Sequence, residues 1–346
     1  MKIAIVFGGF SFEHEISIVS AISMKKVLNN ELVYIFIDKN RNFYHIPTKD
    51  IKSNLFSSGE YKKFDKYNLI DDGFVKRSLF GSKRLEFDVV LNLIHGGDGE
   101  DGVLSSLFKF FNIPYIGPRN VASVVSFDKY ITKSYALSVD VKTLSCKHYR
   151  KNKTIEIDSY PVIIKPTKLG SSIGVSIVKT KDELDYALDV AYEFDDEIII
   201  EPFLENVKEY NLAGCKVNDN ILFSIVEEPN KDKYLDFDKK YLDFNRTDAI
   251  SKADISIELE NKLRDNFIKI YNNTFDGALI RCDFFVINGE IYLNEINPIP
   301  GSMANYLFDD FNDLLNKLAK SLPQNKLIPI NYEYVNKIQN AKGKAC

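Results

Sequence analysis

The sequence predicts an α/β protein of two or three domains, and three observations carry that prediction. An apolar strand at 2–7 runs into Gly8-Gly9 and then a helical stretch, the way an α/β unit begins. A second buried strand at 87–94 ends in His95-Gly-Gly-Asp-Gly-Glu-Asp-Gly102, a glycine-rich loop ahead of an apolar helix. Near the carboxyl end, Asn288-Gly289 separates two β-branched and aromatic runs, a short-range hairpin signal. A length of 346 residues also exceeds what one core usually holds.

Taken in order, residues 2–7 are too short for a signal h-region and read as a strand. Ser11 is placed to cap the helix that runs to about residue 29, with Glu13 in its first turn, where the helix dipole favours a carboxylate. A strand at 32–38 follows, then a polar stretch without periodicity over 48–86. The loop at 95–102 lies at the carboxyl edge of the predicted sheet, where open α/β sheets bind ligands, so His95 is either structural or part of a site. A helix is expected over 103–111 and another over 121–138, with a boundary near 114–120.

Tyr160 to Pro166 reads as a strand delivering Lys165, followed by the loop Gly170-Ser-Ser-Ile-Gly174. That loop is either a plain turn or a cover of backbone N–H groups and hydroxyls for phosphates; it lacks Walker spacing. Glu197 to Leu204 is a strand running into a hinge, and Glu209 opens the next strand. Residues 229–248 are polar and aromatic without a period, as functional or disordered long loops are. An amphipathic helix at 256–273 leads into the hairpin, and a helical region at about 306–320 and a polar tail end the sequence.

The hairpin carries an unusual polar load: Arg281 and Asp283 on one strand, Glu295 and Asn297 on the other. A strict two-residue loop with regular pairing puts Asp283 and Glu295 on opposite faces. A longer loop or one bulge pairs Asp283 with Glu295 and Arg281 with Asn297. In that second register two carboxylates repel unless a cation lies between them, and two carboxylates with an amide oxygen suit Mg²⁺ carrying phosphates.

Composition narrows the function classes. Hydrophobic residues make up 45% and charged residues 27%, as in ordinary globular proteins. A net charge of -4 with dispersed Lys and Arg argues against a nucleic-acid or membrane-surface partner. No apolar run is long enough to span a bilayer. Cys146, Cys215, Cys282 and Cys346 lack metal or disulfide spacing and read as free thiols of a cytoplasmic protein. Four scattered histidines argue against a histidine metal cluster.

Six segments in order, Gly8-Gly9-x-Ser11-x-Glu13, the 95–102 loop, Lys165-Pro with Gly170-Ser-Ser-x-Gly174, Lys240-Tyr241, Arg281-x-Asp283 and Glu295-x-Asn297-x-x-Pro300-Gly301, together resemble the D-alanine–D-alanine ligases of the ATP-grasp superfamily. The resemblance spans residues 2 to about 310. It implies a three-domain ATP-grasp architecture with an N-terminal open α/β domain. The expected units are 1–118 for substrate, 119–200 as the central subdomain, and 201–346 as the C-terminal subdomain with a mobile loop at 229–248.

The resemblance also implies roles. ATP would lie between two domains, its phosphates held by Lys129 and Lys165, covered by Gly170, Ser171 and Ser172, and approached by Lys240. Glu201, the Pro202 carbonyl and the Leu204 N–H would read adenine, and Glu209 the ribose. Asp283, Glu295 and Asn297 would bind two Mg²⁺, with Mn²⁺ able to substitute. One D-alanine carboxylate would attack the γ-phosphate, and the amine of a second D-alanine would attack the resulting acyl phosphate. Arg281 and the Gly301 N–H match the family's oxyanion hole. Glu13 would pair with the first D-alanine's ammonium, with His95 close to that substrate. Glu13, Ser171 and Tyr241 match a hydrogen-bond set closing two loops over the site.

Two departures stand out. The family's serine for the second carboxylate, five residues after the matched glycine, is here Tyr306, with Ser302 nearer Gly301. The spacing from Glu201 to Glu209 is also one residue longer than the family pattern. The implied product feeds peptidoglycan synthesis, and relatives suggest a homodimer. D-lactate or D-serine as second substrate, or a non-catalytic ATP-grasp module, are the competing readings. Tyr241 favours the dipeptide enzyme, and both metal carboxylates, Arg281 and the lysines speak against a silent module.

Overall fold

The structure is a computed structural model that describes residues 1–79, 81–229, 252–272, 274–324 and 328–342. Lys240, Tyr241, nearly all of the expected 229–248 loop and Cys346 lie outside the described residues.

Three sheets organise the chain. The first contains β1 (Lys2–Gly8), β2 (Glu31–Ile37), β3 (Phe43–Ile46), β4 (Lys66–Ile70), β5 (Gly73–Ser78), β6 (Gly81–Arg84), β7 (Val89–Asn92) and β8 (Tyr115–Ile116). Their order is β6-β5-β4-β3-β2-β1-β7-β8, with β1 parallel to β2 and β7. The two faces of β1 feed two cores. Ile3, Ile5 and Phe7 pack with Ala21 and Met24 of α1 (His14–Val27), while Ala4 and Val6 pack with Leu104 and Phe108 of a helix at Val103–Phe110. A strand buried on both faces reads as a continuous apolar run, which is why β1 was plain in the sequence.

Several expectations need correction. The stretch 48–86 holds β4, β5 and β6, an antiparallel ribbon extending the first sheet. Its strands are short and β6 is exposed throughout, so no apolar run marks them. The single helix expected at 121–138 is two, at Asn120–Phe127 and Lys129–Ser138. Asp128 divides them: its backbone is extended and its carboxylate accepts the N–H groups of Tyr130 and Ile131, a standard N-cap. Helix α1 starts at His14 with Glu13 in the cap position, two residues later than a Ser11 cap implies. Ser11 still accepts the Glu13 N–H, at 3.0 Å.

The second sheet has four antiparallel strands, β9 (Lys147–Arg150), β10 (Val162–Pro166), β11 (Ser176–Val178) and β12 (Glu197–Pro202), in the order β11-β10-β12-β9. Ala187 and Ala191 of a helix at Leu184–Tyr192 cover Val162, Ile164, Ile198 and Ile200. Lys165 and Glu201 therefore project from the opposite face.

The third sheet runs β14-β13-β15-β16, with β13 at Lys208–Val217, β14 at Asn220–Glu227, β15 at Leu279–Ile287 and β16 at Glu290–Asn297. On one face Leu212, Ile280, Cys282 and Phe284 bury against Leu263, Phe267 and Ile270 of a helix at Ile257–Tyr271, capped by Ser256. The other face is divided. At one end Ala213, Cys215 and Leu279 join the core of the first sheet, with Leu314, Leu315 and Leu318 of a helix at Phe311–Lys320. At the other end it is polar.

The hairpin answers the register question. Ile287 pairs with Glu290 across a two-residue loop, and a bulge between Asp283 and Phe284 shifts the rest, so Asp283 faces Glu295 and Arg281 faces Asn297. The helical region expected from 306 is instead a turn over Gly301–Leu307, then the helix at 311. Ser302, Met303 and Ala304 in that turn have φ of 48, 56 and 48°, a left-handed turn of three non-glycine residues. The polar tail includes a helix at Glu333–Lys342. Among the described residues no helix is long and apolar enough to cross a membrane, and Cys146, Cys215 and Cys282 are free thiols.

Candidate active site

Four polar residues stand opposite one another on the four strands of the third sheet. Glu227 on β14 pairs with Asn211 on β13, Asn211 with Asp283 on β15, and Asp283 with Glu295 on β16. Registered partners project to one face, so these side chains form a row across the sheet. Arg281 grips Asp283 through Nε and Nη2 at 2.7 and 2.8 Å, and Asn297 Nδ2 donates to Asp283 at 3.0 Å and Glu295 at 3.4 Å.

Asp283 is only 3% exposed. Burial pushes its carboxyl up to about 6; Arg281 pulls it down and Glu295 adds to the rise. Two carboxylates on one buried face fit a divalent cation, and their oxygens with the Asn297 amide oxygen are the hard donors that Mg²⁺ takes. Among the described residues no group of three or more His, Cys, Asp or Glu side chains could hold a metal.

Lys129 opens its helix, and its Nζ donates to the carbonyls of Pro166 (3.0 Å) and Leu169. Lys165 Nζ lies 2.7 Å from Glu201 Oε2. Lys133, one turn beyond Lys129, pairs with the other Glu201 oxygen and donates to the Leu144 carbonyl at 3.1 Å. Burial opposes the charge on Glu201, but Lys165 and Lys133 outweigh it and hold the carboxyl below its usual range. Pro202 ends β12 beside these groups, Leu204 follows two residues on, and Glu209 shares its face of β13 with Asn211.

Glu13 sits where three loops meet. Ser171 Oγ donates to Glu13 Oε1. A Cβ on Gly96 would lie 2.5 Å from Glu13 Oε2, and one on Gly170 would lie 3.0 Å from both carboxylate oxygens. Gly96 also has a φ of +62°, so glycine serves twice there. Ser172 continues the loop with a φ of 59°, and Phe12 meets Phe194 edge-on at 5.4 Å across the same closure. His95 is 5% exposed; its Nε2 is 2.9 Å from Ser20 Oγ, and its ring lies by the Ile299 carbonyl, two residues before Gly301. Burial pushes its pKa down to about 4, so it is neutral at neutral pH.

Past Gly301, Ser302 Oγ is 3.1 Å from Ser23 Oγ of α1, and its carbonyl accepts Asn305 Nδ2 at 2.7 Å. Tyr306 donates its hydroxyl to Glu227 Oε2 at 3.3 Å, and Asn211 Nδ2 donates to the same oxygen at 3.0 Å.

The structure thus gathers Glu13, His95 and Ser171 in one group, Lys165 and Glu201 with Lys129 nearby in a second, and Arg281, Asp283, Glu295 and Asn297 in a third. Four residues were not anticipated. Lys133 carried a signal in its i, i+4 spacing from Lys129. Glu100 lies 3.9 Å from the His95 ring, its carboxyl pushed well above the usual range by burial and then by Glu13. Asn211 and Glu227 carried no local signal.

Family descriptions of the two halves of this chemistry match the chain: "D-ala D-ala ligase N-terminus" over residues 2–118 and "D-ala D-ala ligase C-terminus" over 134–311. A D-alanine–D-alanine ligase of Sulfurovum sp. is 60% identical, with all of both chains covered. One of Wolinella succinogenes is 57% identical over 99% of this chain and all of its own. The crystal structure of the Helicobacter pylori D-alanine–D-alanine ligase superposes with a TM-score of 0.85 at 48% identity, covering 94% of this chain and all of the other.

Proposed function

The chain belongs to the D-alanine–D-alanine ligase family, and from that premise we propose how its side chains perform the reaction. It is an ATP-dependent ligase of ATP-grasp architecture that joins two D-alanines for peptidoglycan synthesis. The register that sets Asp283 against Glu295 and Arg281 against Asn297 is the observation that carries the reading.

Glu13 binds the ammonium of the first D-alanine, and Ser171 ties the phosphate-covering loop to that carboxylate. Glu201, the Pro202 carbonyl and the Leu204 N–H read adenine, and Glu209 holds the ribose. Lys129 and Lys165 hold the α- and β-phosphates; Lys165 leaves Glu201 for them, and Lys133 stays behind as partner of the Glu201 charge. Asp283, Glu295 and Asn297 would hold Mg²⁺, which when bound neutralises phosphate charge. The first carboxylate attacks the γ-phosphate, and Lys240 approaches that group. Arg281 and the Gly301 N–H donate to the carbonyl oxygen as charge develops on it. His95, being neutral, orients the loops through Ser20 and the Ile299 carbonyl.

Two further parts of the reading concern context. Val103, Leu107 and Phe110 on the helix at 103–110, with Val121 and Val124 on the adjoining helix, are exposed and support a homodimer. Use of ATP and three free thiols support a cytoplasmic setting. The deciding assay is phosphate release from ATP with D-alanine alone, D-alanine plus D-lactate, and no amino acid. Release that needs D-alanine and yields the dipeptide is expected. Preference for D-lactate, or release indifferent to either, contradicts the reading.

A further inference from the structure

We propose that Glu227 receives the ammonium of the second amino acid and takes one proton from it, supported by Asn211 and Tyr306. The assignment rests on the ligase reading above and concerns the half of the polar row that this reading leaves unused.

Three observations carry it. Glu227 ends β14 and is 4% exposed, on the face opposite the packed Val226. A carboxylate buried that far is retained only with partners, and it accepts from both Asn211 and Tyr306. Its place in the row puts it two strands from Asp283, roughly 10 Å at normal strand spacing. Tyr306 bridges the remaining gap: it follows Gly301 by five residues and lies close enough to Arg281 to act on its charge. Glu227 is therefore linked through Tyr306 to the Arg281 side of the row. The third observation is Asn211 Oδ1, buried and without a hydrogen-bond partner among the described residues. A buried acceptor left unmatched beside a carboxylate is suited to a ligand bearing several N–H donors.

The chemistry needs such a group. The second substrate arrives as an ammonium, which has no lone pair to attack with. One N–H proton passes to the Glu227 carboxylate, leaving a neutral amine. Its lone pair forms the C–N bond at the acyl carbon, the C–O bond to phosphate breaks, and the remaining excess proton leaves with the phosphate. A hydroxy acid brings no ammonium to this carboxylate, so Glu227 also selects for an amino acid at this position.

Hydroxylamine separates the steps, because it is already an unprotonated amine at neutral pH and captures an acyl phosphate as the hydroxamate. In Glu227→Gln, hydroxamate formation from ATP and D-alanine should stay near wild type. The kcat/KM for the second D-alanine should fall about 100-fold, the scale of lost acid–base assistance. Glu227→Asp, which keeps the charge, should recover at least about tenfold of that loss, and Tyr306→Phe should stay within about tenfold of wild type. Equal loss of hydroxamate and dipeptide makes Glu227 a support of the sheet and overturns the proposal. So does an unchanged dipeptide rate, or an Asp variant no better than Gln. Absence of hydroxamate with the wild-type protein overturns the ligase reading itself, and the assignment with it.

Discussion

The two ends of the row across the third sheet are both hairpins with two-residue loops, and they differ in the groups they carry. Asp283 and Glu295 come from one hairpin, joined by two residues, and with Arg281 and Asn297 they are a compact motif. Glu227 and Asn211 also come from one hairpin, β13 and β14, joined by two residues, but their third member, Tyr306, enters from a turn 79 residues beyond Glu227. The charged pair at the first end is one that only a cation or Arg281 can settle. The second end is a carboxylate that accepts hydrogen bonds from Asn211 and Tyr306. On our account the first end serves phosphate transfer and the second serves the incoming amine.

The largest expected effect breaks the first end. Asp283→Asn or Glu295→Gln should lower phosphate release on the order of 10³-fold, as when a charge-stabilising group leaves a water-excluded site. Melting temperature should be kept in Glu295→Gln, which removes like-charge repulsion, and should fall in Asp283→Asn, which also breaks the buried pair with Arg281. A variant that turns over normally removes the metal assignment.

Glu13→Gln comes next. It should raise the D-alanine requirement by an amount worth about 2–5 kcal/mol, the scale for truncating one partner of a buried charge pair, with nucleotide affinity nearly unchanged. Titration calorimetry showing lost ATP binding and kept D-alanine binding would reduce Glu13 to its helix-cap position.

A third test uses His95, which is held neutral by burial. Its folded pKa of about 4 lies below the ordinary 6.5, so acid protonates the unfolded chain first. This contribution to stability is complete above pH 6.5 and is lost as pH falls toward 4, reaching about 3 kcal/mol. His95→Gln should flatten that part of the pH–stability curve; an unchanged slope would mean that His95 titrates normally. The smallest effect is expected from Tyr241→Phe, about 0.5–1.5 kcal/mol for a neutral hydrogen bond, with some D-lactate accepted as second substrate. An unchanged product ratio would leave Tyr241 as packing.

How far the sequence could be read follows the same division. Local signals worked: the apolar run of β1, the glycine loops around Glu13 and the hairpin. Even there Asn288-Gly289 could not reveal the bulge at Asp283, because a bulge depends on what the neighbouring strand must bury. The run 121–138 reads as one helix, although Asp128 ahead of Lys129 is also a capping signal. Lys133 offered only its i, i+4 spacing from Lys129, and its role needed the structure to show Glu201 facing it. Glu227 ends an apolar run and is followed by Glu228 and Pro229, where nothing local distinguishes a buried carboxylate from an exposed one. The left-handed turn at Ser302–Ala304 contains no glycine and gave no warning.

The most direct test of the division is positional isotope exchange in ATP labelled at the β–γ bridge, with D-alanine present. Scrambling reports the first half-reaction alone. Our account predicts scrambling in the wild type and in Glu227→Gln, and none in Asp283→Asn. Loss of scrambling in Glu227→Gln as well would show that the row acts as one unit, and would contradict the account.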